Sequence, residues 1–159
     1  MTVWWITLAS SYLLCLVAGM NAKTVYSNGY YTKKYNKFFS FMSVAILVLV
    51  AGLRSGIGDT PTYIQGYKTD APSTIAGSIK LLFSGKKDAG FYFYQGILKS
   101  IVNNPNVFIF VTSLITIVLI FITYYKYSQL LELSVFLFIT TGCYLVTMNG
   151  IRQYLASAI

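Results

Sequence analysis

Arg54, Asp59, Asn149, Arg152 and Gln153 are the side chains of this 159-residue sequence best suited to chemistry. The first two lie in GLRSGIGDT, residues 52–60, directly after sixteen uncharged residues, and Asp59 is one of only four acidic groups in the chain. The other three lie in NGIRQ, again just after an apolar run, with apolar sequence resuming at Tyr154. A guanidinium's planar fork matches two phosphate oxygens and stays charged where lysine would lose its proton, so two arginines on one face suit a pyrophosphate. A carboxylate at Asp59 can take a proton from a sugar hydroxyl. Gly56 and Gly58 let the backbone pass close to a ligand, although the pattern is not that of a Walker loop. Tyr63 and Tyr67 can stack on sugar rings.

Plainer readings stand beside these. Arg54 alone is a snorkelling anchor at the end of a span. Asp59 alone caps the turn into TPTYIQGY, where Pro61 takes an early helical position. Arg152 weighs against the plain reading, because an ionisable group within an apolar hairpin costs about 2.5–3.5 kcal/mol on insertion scales and calls for a partner. Asp59 or a phosphate would serve.

The elements that position these residues are apolar. Hydrophobic residues make up 56% of the chain and charged ones 10%, well below the charge of a soluble domain, so a membrane protein is expected. Four runs approach the roughly 20 residues that cross hydrocarbon: 3–20, 38–53, 107–125 and 130–148, the last with Glu132 at its start. The second is short, but Lys37 and Arg54 can snorkel from its ends. The first lacks the positive n-region of a signal peptide, and its lysines follow the apolar run, so it is read as a span. The fold class expected is all-α: a polytopic integral membrane protein, a single membrane domain over 1–159, with about four transmembrane helices and the start of a fifth. Because that last helix stops at Ile159 after barely two turns, the expectation is the N-terminal part of a longer protein.

Lys23, Lys33, Lys34 and Lys37 crowd the connection 21–37 without an acid, which assigns that loop to the cytoplasm. The N-terminus, with Trp4 and Trp5 as interfacial anchors, is then outside. So are the long segment 54–106 and the end of the fourth span at Asn149, while the turn at Lys126 is inside. The outer segment also carries Lys68, Lys80, Lys86, Lys87 and Lys99, offset by Asp59, Asp70 and Asp88, but long loops weigh less in orientation. Within it, Ile75, Ile79 and Leu82 share a helical face over 74–83. Asp88 can cap a second helix in which Phe91, Tyr94, Leu98 and Ile101 recur. Both are expected as short amphipathic helices on or in the outer membrane surface. Asn103, Asn104 and Pro105 then break the chain.

The net charge of +8 flanks apolar runs, a placement that fits membrane lipid and not nucleic acid. Histidine is absent, which excludes a histidine base, a histidine-held metal and any Ser/His or Cys/His nucleophile pair. Cys15 and Cys143 fall in apolar runs, where they pack as small apolar groups. No metal and no cofactor is expected.

Three segments in order carry a family resemblance. LRSGIGDTPTYIQGY resembles the Arg, Gly-x-Asp-Thr-x-x-Tyr signature of the EpsG family of exopolysaccharide polymerases. KKDAGFYFYQGILKSI resembles its Lys-Asp-x-Gly-Phe segment, and TMNGIRQYLASAI its Asn-x-x-Arg-Gln helix start. The family is similar to Wzy-type polymerases, which move a growing glycan from polyprenyl pyrophosphate onto another lipid-linked repeat unit. The resemblance implies an extracytoplasmic site at the cell membrane, serving exopolysaccharide or capsule biosynthesis. It gives Asp59, Arg54 and Arg152 catalytic roles and lines the substrate site with Tyr63, Asn149, Gln153, Gly58 and Thr60. The implied partners are the lipid-linked oligosaccharide, the growing glycan and other polysaccharide-assembly proteins. The alternatives are a transport or flippase component for the same lipid-linked glycan, which should show polar residues along its spans, and an inactive truncated fragment.

Overall fold

The computed structural model describes residues 2–27, 30–83, 85 and 87–159. Lys86, one of the lysines counted in the outer segment, lies outside the described residues. The chain is mostly helical: α1 Thr2–Met20, α2 Lys37–Gly52, α3 Thr60–Thr69, α4 Ile75–Leu82, α5 Ala89–Ile101, α6 Pro105–Tyr127, α7 Leu131–Thr140, α8 Cys143–Asn149 and α9 Ile151–Ala158.

Helices α1, α2, α6 and the α7–α8 pair pack side by side around a core of Cys15, Leu47, Ala51, Ile117, Leu131, Val135, Tyr144 and Met148. Small residues let α1 and α2 approach closely. Cys15 donates to Ser43 Oγ at 3.1 Å and Ser43 to Ser11 O at 3.1 Å, so this cysteine fills the packing role expected of it, whereas Cys143 is exposed. At one end of the bundle Tyr35 acts as a hub: its hydroxyl donates to Ser128 O and accepts from Leu131 N, while Tyr125 donates to Tyr35 O. Arg54 is the hub at the other end.

The span count differs from the four expected. Among the described residues, α1 and α6 are long and apolar enough to cross a membrane, and the chain is a membrane protein on their account. The fourth expected span is broken. Thr140 and Thr141 bond back to Phe136 O and Leu137 O, Gly142 turns left-handed at φ +82°, and α7 and α8 meet at 57°. Helix α2 has 16 residues, ~24 Å of helix against a hydrocarbon core of roughly 30 Å.

The helical class expected holds, with one small exception. The lysine-rich connection folds into an antiparallel hairpin, β1 Lys23–Ser27 with β2 Tyr30–Lys34, Lys23 opposite Lys34. Its signal was in plain sight, since Asn28-Gly29 between two β-prone runs is the strongest short hairpin signature.

In the long segment the two expected short helices do form. Helix α4 turns Ser78 inward against Gly96 of α5 and leaves Ile75, Ile79, Leu82 and the following Phe83 exposed. Helix α5 rests on α6 through Tyr94, whose hydroxyl lies 3.0 Å from Thr112 Oγ1, and through Phe91 against Phe108. Lys99 donates to Lys68 O and Ala71 O at the end of α3, tying α5 to that helix as well.

Candidate functional site

Arg54 follows α2 directly, and its side chain turns back into the bundle, only 8% exposed. Nη1 donates to Ala51 O at 2.6 Å and Ser113 Oγ at 2.9 Å, Nη2 to Met148 O at 3.1 Å, and Nε to Thr60 Oγ1 at 2.9 Å. Ala51 and Met148 lie in the last turns of α2 and α8, where backbone carbonyls have no helical partner and the helix dipole favours a cation. One guanidinium thus closes two helix C-termini, holds α6 through Ser113 and holds α3 through Thr60. Burial pulls its pKa down to about 10, opposed by the nearby Tyr144 and Tyr63, which leaves it charged at neutral pH.

Arg54 and Arg152 lie at the same end of the bundle but share none of the described cavities. Arg54 lines one narrow cavity with Ala51, Ser113 and Met148 and two larger ones with Leu53 and Ser55, whereas Arg152 lines another with Asp88 and Phe91. Thr60, expected to touch substrate, is fully buried, accepts from Arg54 and donates to Ile57 O at 2.7 Å. Its hydroxyl is used up inside the protein.

Asp59 does not pair with Arg152 either. Arg152, in the first turn of α9, donates to Asp88 Oδ2 at 2.5 Å. Asp88 stands at the N-cap position of α5 with φ +64°, but its side chain makes no cap hydrogen bond, contrary to the capping role expected of it. The left-handed backbone, which Asp tolerates better than most residues, is accompanied by a carboxylate committed to α9.

Asp59 likewise sits at the N-cap of α3 without a side-chain cap bond. Only its backbone carbonyl is engaged, accepting from Tyr63 N at 3.1 Å. The carboxylate is exposed and makes no hydrogen bond among the described residues, so the plain capping reading fails.

The turn before Asp59 is held against the end of α8. Gly58 has φ +54°, and a Cβ placed on it would collide with Oδ1 of Asn149. That Oδ1 is buried and has no hydrogen-bond partner among the described residues. Tyr63 packs edge-on against Phe91, ring centroids 6.1 Å apart. Gln153 is exposed one position beyond Arg152. Contacts therefore join all three sequence segments: the Gly58 backbone with the Asn149 side chain, Tyr63 with Phe91, and Asp88 with Arg152. Sequence reasoning placed Asp88 as a cap and missed it as the arginine's partner. Ser113 and the carbonyl of Met148 were missed because an uncharged hydroxyl or a backbone group inside an apolar run gives no signal.

Gly58→Ala is expected to destabilise the protein by more than the roughly 1–2 kcal/mol of left-handed strain, because the added methyl also displaces Asn149. Gly56→Ala is the control: its φ is +70° but nothing lies within 4 Å of the added carbon, so strain alone applies. Thermal unfolding in detergent compares the two. Equal losses would show that the Gly58–Asn149 approach contributes nothing.

The family model described as the EpsG family matches residues 37–159, which takes in every residue of the site. No curated protein and no solved structure matches the chain.

Proposed function

Because the chain belongs to the EpsG family, we propose that it acts in polymerising polyprenyl-pyrophosphate-linked repeat units for exopolysaccharide or capsule, at the outer face of the cell membrane. The observation that carries this reading is the meeting of the three segments, with Asp59 next to the Gly58–Asn149 contact, its carboxylate exposed and unbonded among the described residues. Asp59 is the base that takes the proton of the attacking sugar hydroxyl. Tyr63, Asn149 and Gln153 border the sugar. Arg152 faces the phosphate. Arg54 and Thr60 act at one remove, holding the turn that carries Gly58 and Asp59 against the ends of α2 and α8.

A transport role has less support. The buried hydroxyls of α1 and α6 that a polar path would need are mostly turned onto their own helices, Thr7 to Val3 O, Ser11 to Thr7 O and Thr112 to Phe108 O. The test is extension of a purified lipid-linked repeat unit in membranes containing the protein, without any nucleotide sugar. Polymer is the expected product. Relocation of the lipid-linked unit across the bilayer with no polymer would favour transport instead.

In this reading α2 and the bent α7–α8 pair complete four crossings, and the hairpin lies in the cytoplasm. Thr24 of β1 and Ser73 ahead of α4 are both exposed. With Cys15 and Cys143 replaced, an impermeant maleimide added outside is expected to label Ser73→Cys and spare Thr24→Cys. The opposite pattern would invert the orientation.

A further inference from the structure

The narrow cavity beside Arg54 holds about 10 Å³ and is lined from α2, α6, α8 and α9. A single water-sized sphere needs roughly 10–15 Å³, so the space suits one small ligand and no polyatomic one. For the inside of an apolar bundle its wall is polar: besides Arg54 it carries the buried hydroxyls of Thr112, Ser113, Thr116 and Thr147. Three of these are engaged. Thr112 donates to Phe108 O, Thr147 donates to Tyr144 O, and Ser113 accepts from Arg54. Thr116 is only 3% exposed and makes no hydrogen bond among the described residues, not even the bond back to its own helix that such a threonine ordinarily forms.

Arg54 also has a donor to spare. A guanidinium has five N–H groups; Nε and both of those on Nη1 are taken, and Nη2 gives one to Met148 O, which leaves one. All four acceptors are neutral, and the guanidinium forms no ion pair among the described residues. A buried charge is ordinarily paired. The uncommitted groups around the cavity are therefore one N–H on a cation and one O–H. A water would bring two hydrogens to a wall whose carbonyls, Ala51 O and Met148 O, already accept from Arg54. A monatomic anion accepts from both donors, brings no hydrogen and supplies the missing countercharge.

We infer that this cavity binds one halide ion, chloride in ordinary salt, between the Arg54 guanidinium and Thr116 Oγ1. The ion is a structural ligand. It neutralises the group that closes α2 and α8 and so stabilises their junction with α6, and it requires neither glycan nor lipid.

Thermal unfolding of the purified protein in detergent tests this, in a chloride series balanced with gluconate to constant ionic strength. Chloride is expected to raise Tm along a saturating curve, by about 3–6 °C at ten times its dissociation constant, and bromide to do the same. Thr116→Val removes the hydroxyl and is expected to move the half-point of the series about tenfold higher, the weight of a hydrogen bond to a charged group, while Thr116→Ser keeps it in place. A threonine that only packs would lower Tm equally in both salts and leave the half-point unmoved. Crystals grown in bromide are expected to show anomalous scattering within hydrogen-bond reach of Arg54 and Thr116, a result that needs no variant to fold. Equal Tm in chloride and gluconate would overturn the proposal, as would a wild-type half-point in Thr116→Val or bromide crystals without an ion at the cavity.

Discussion

Asp59→Asn is expected to lower chain extension by about 10²–10⁴-fold, the weight of a general base, while the protein accumulates and melts like the wild type. The amide keeps the size of the carboxylate and loses only its ability to take a proton. Were Asp59 a cap, asparagine would be tolerated and alanine would cost about 1 kcal/mol. Its side chain makes no cap bond, so neither substitution should alter thermal stability. The measurement is the ladder of polymer lengths from Asp59→Asn and Asp59→Ala membranes, with protein abundance followed in parallel. Single lipid-linked units should persist in both. A normal ladder from the asparagine variant would remove Asp59 from the chemistry.

Arg54→Lys should behave in the opposite way, as a loss of structure. Lysine keeps the positive charge but cannot reach Ala51 O, Met148 O, Ser113 and Thr60 from one planar group. Each buried carbonyl left without a donor costs about 1–3 kcal/mol. The expected result is a fall of roughly 5–10 °C in Tm and reduced accumulation, with extension per folded molecule falling less than in Asp59→Asn. Unfolding in detergent, alongside extension normalised to folded protein, separates the two kinds of loss. A lysine variant with wild-type Tm and no extension would return Arg54 to the reacting groups.

The contrast between these variants was hidden in the sequence. Both residues sit in one short polar stretch at the end of an apolar run, and residue type alone gives an arginine and an aspartate equal standing as site groups. What separates them is direction. Arg54 turns inward to two backbone carbonyls and two hydroxyls, and Asp59 turns outward to solvent. The same holds at the other end of the chain, where Arg152 called for a carboxylate and Asp59 was the nearest candidate in motif space. Asp88, 64 positions away from Arg152, supplies it.

The sequence alone determined the membrane character and the approximate places of the apolar helices, because both depend on local composition and periodicity, while the three segments that meet in the structure were marked by their family resemblance. It also carried the hairpin, in an Asn-Gly step passed over in favour of the charge of the flanking lysines. The tertiary structure decided which charges meet. It broke the fourth apolar run at Gly142, closed two helix ends with one guanidinium, left the Asp59 carboxylate without a partner among the described residues and paired Arg152 with Asp88. Hydropathy is a sum over neighbours along the chain. A hydrogen bond depends on the relative placement of two helices, which no local sum contains.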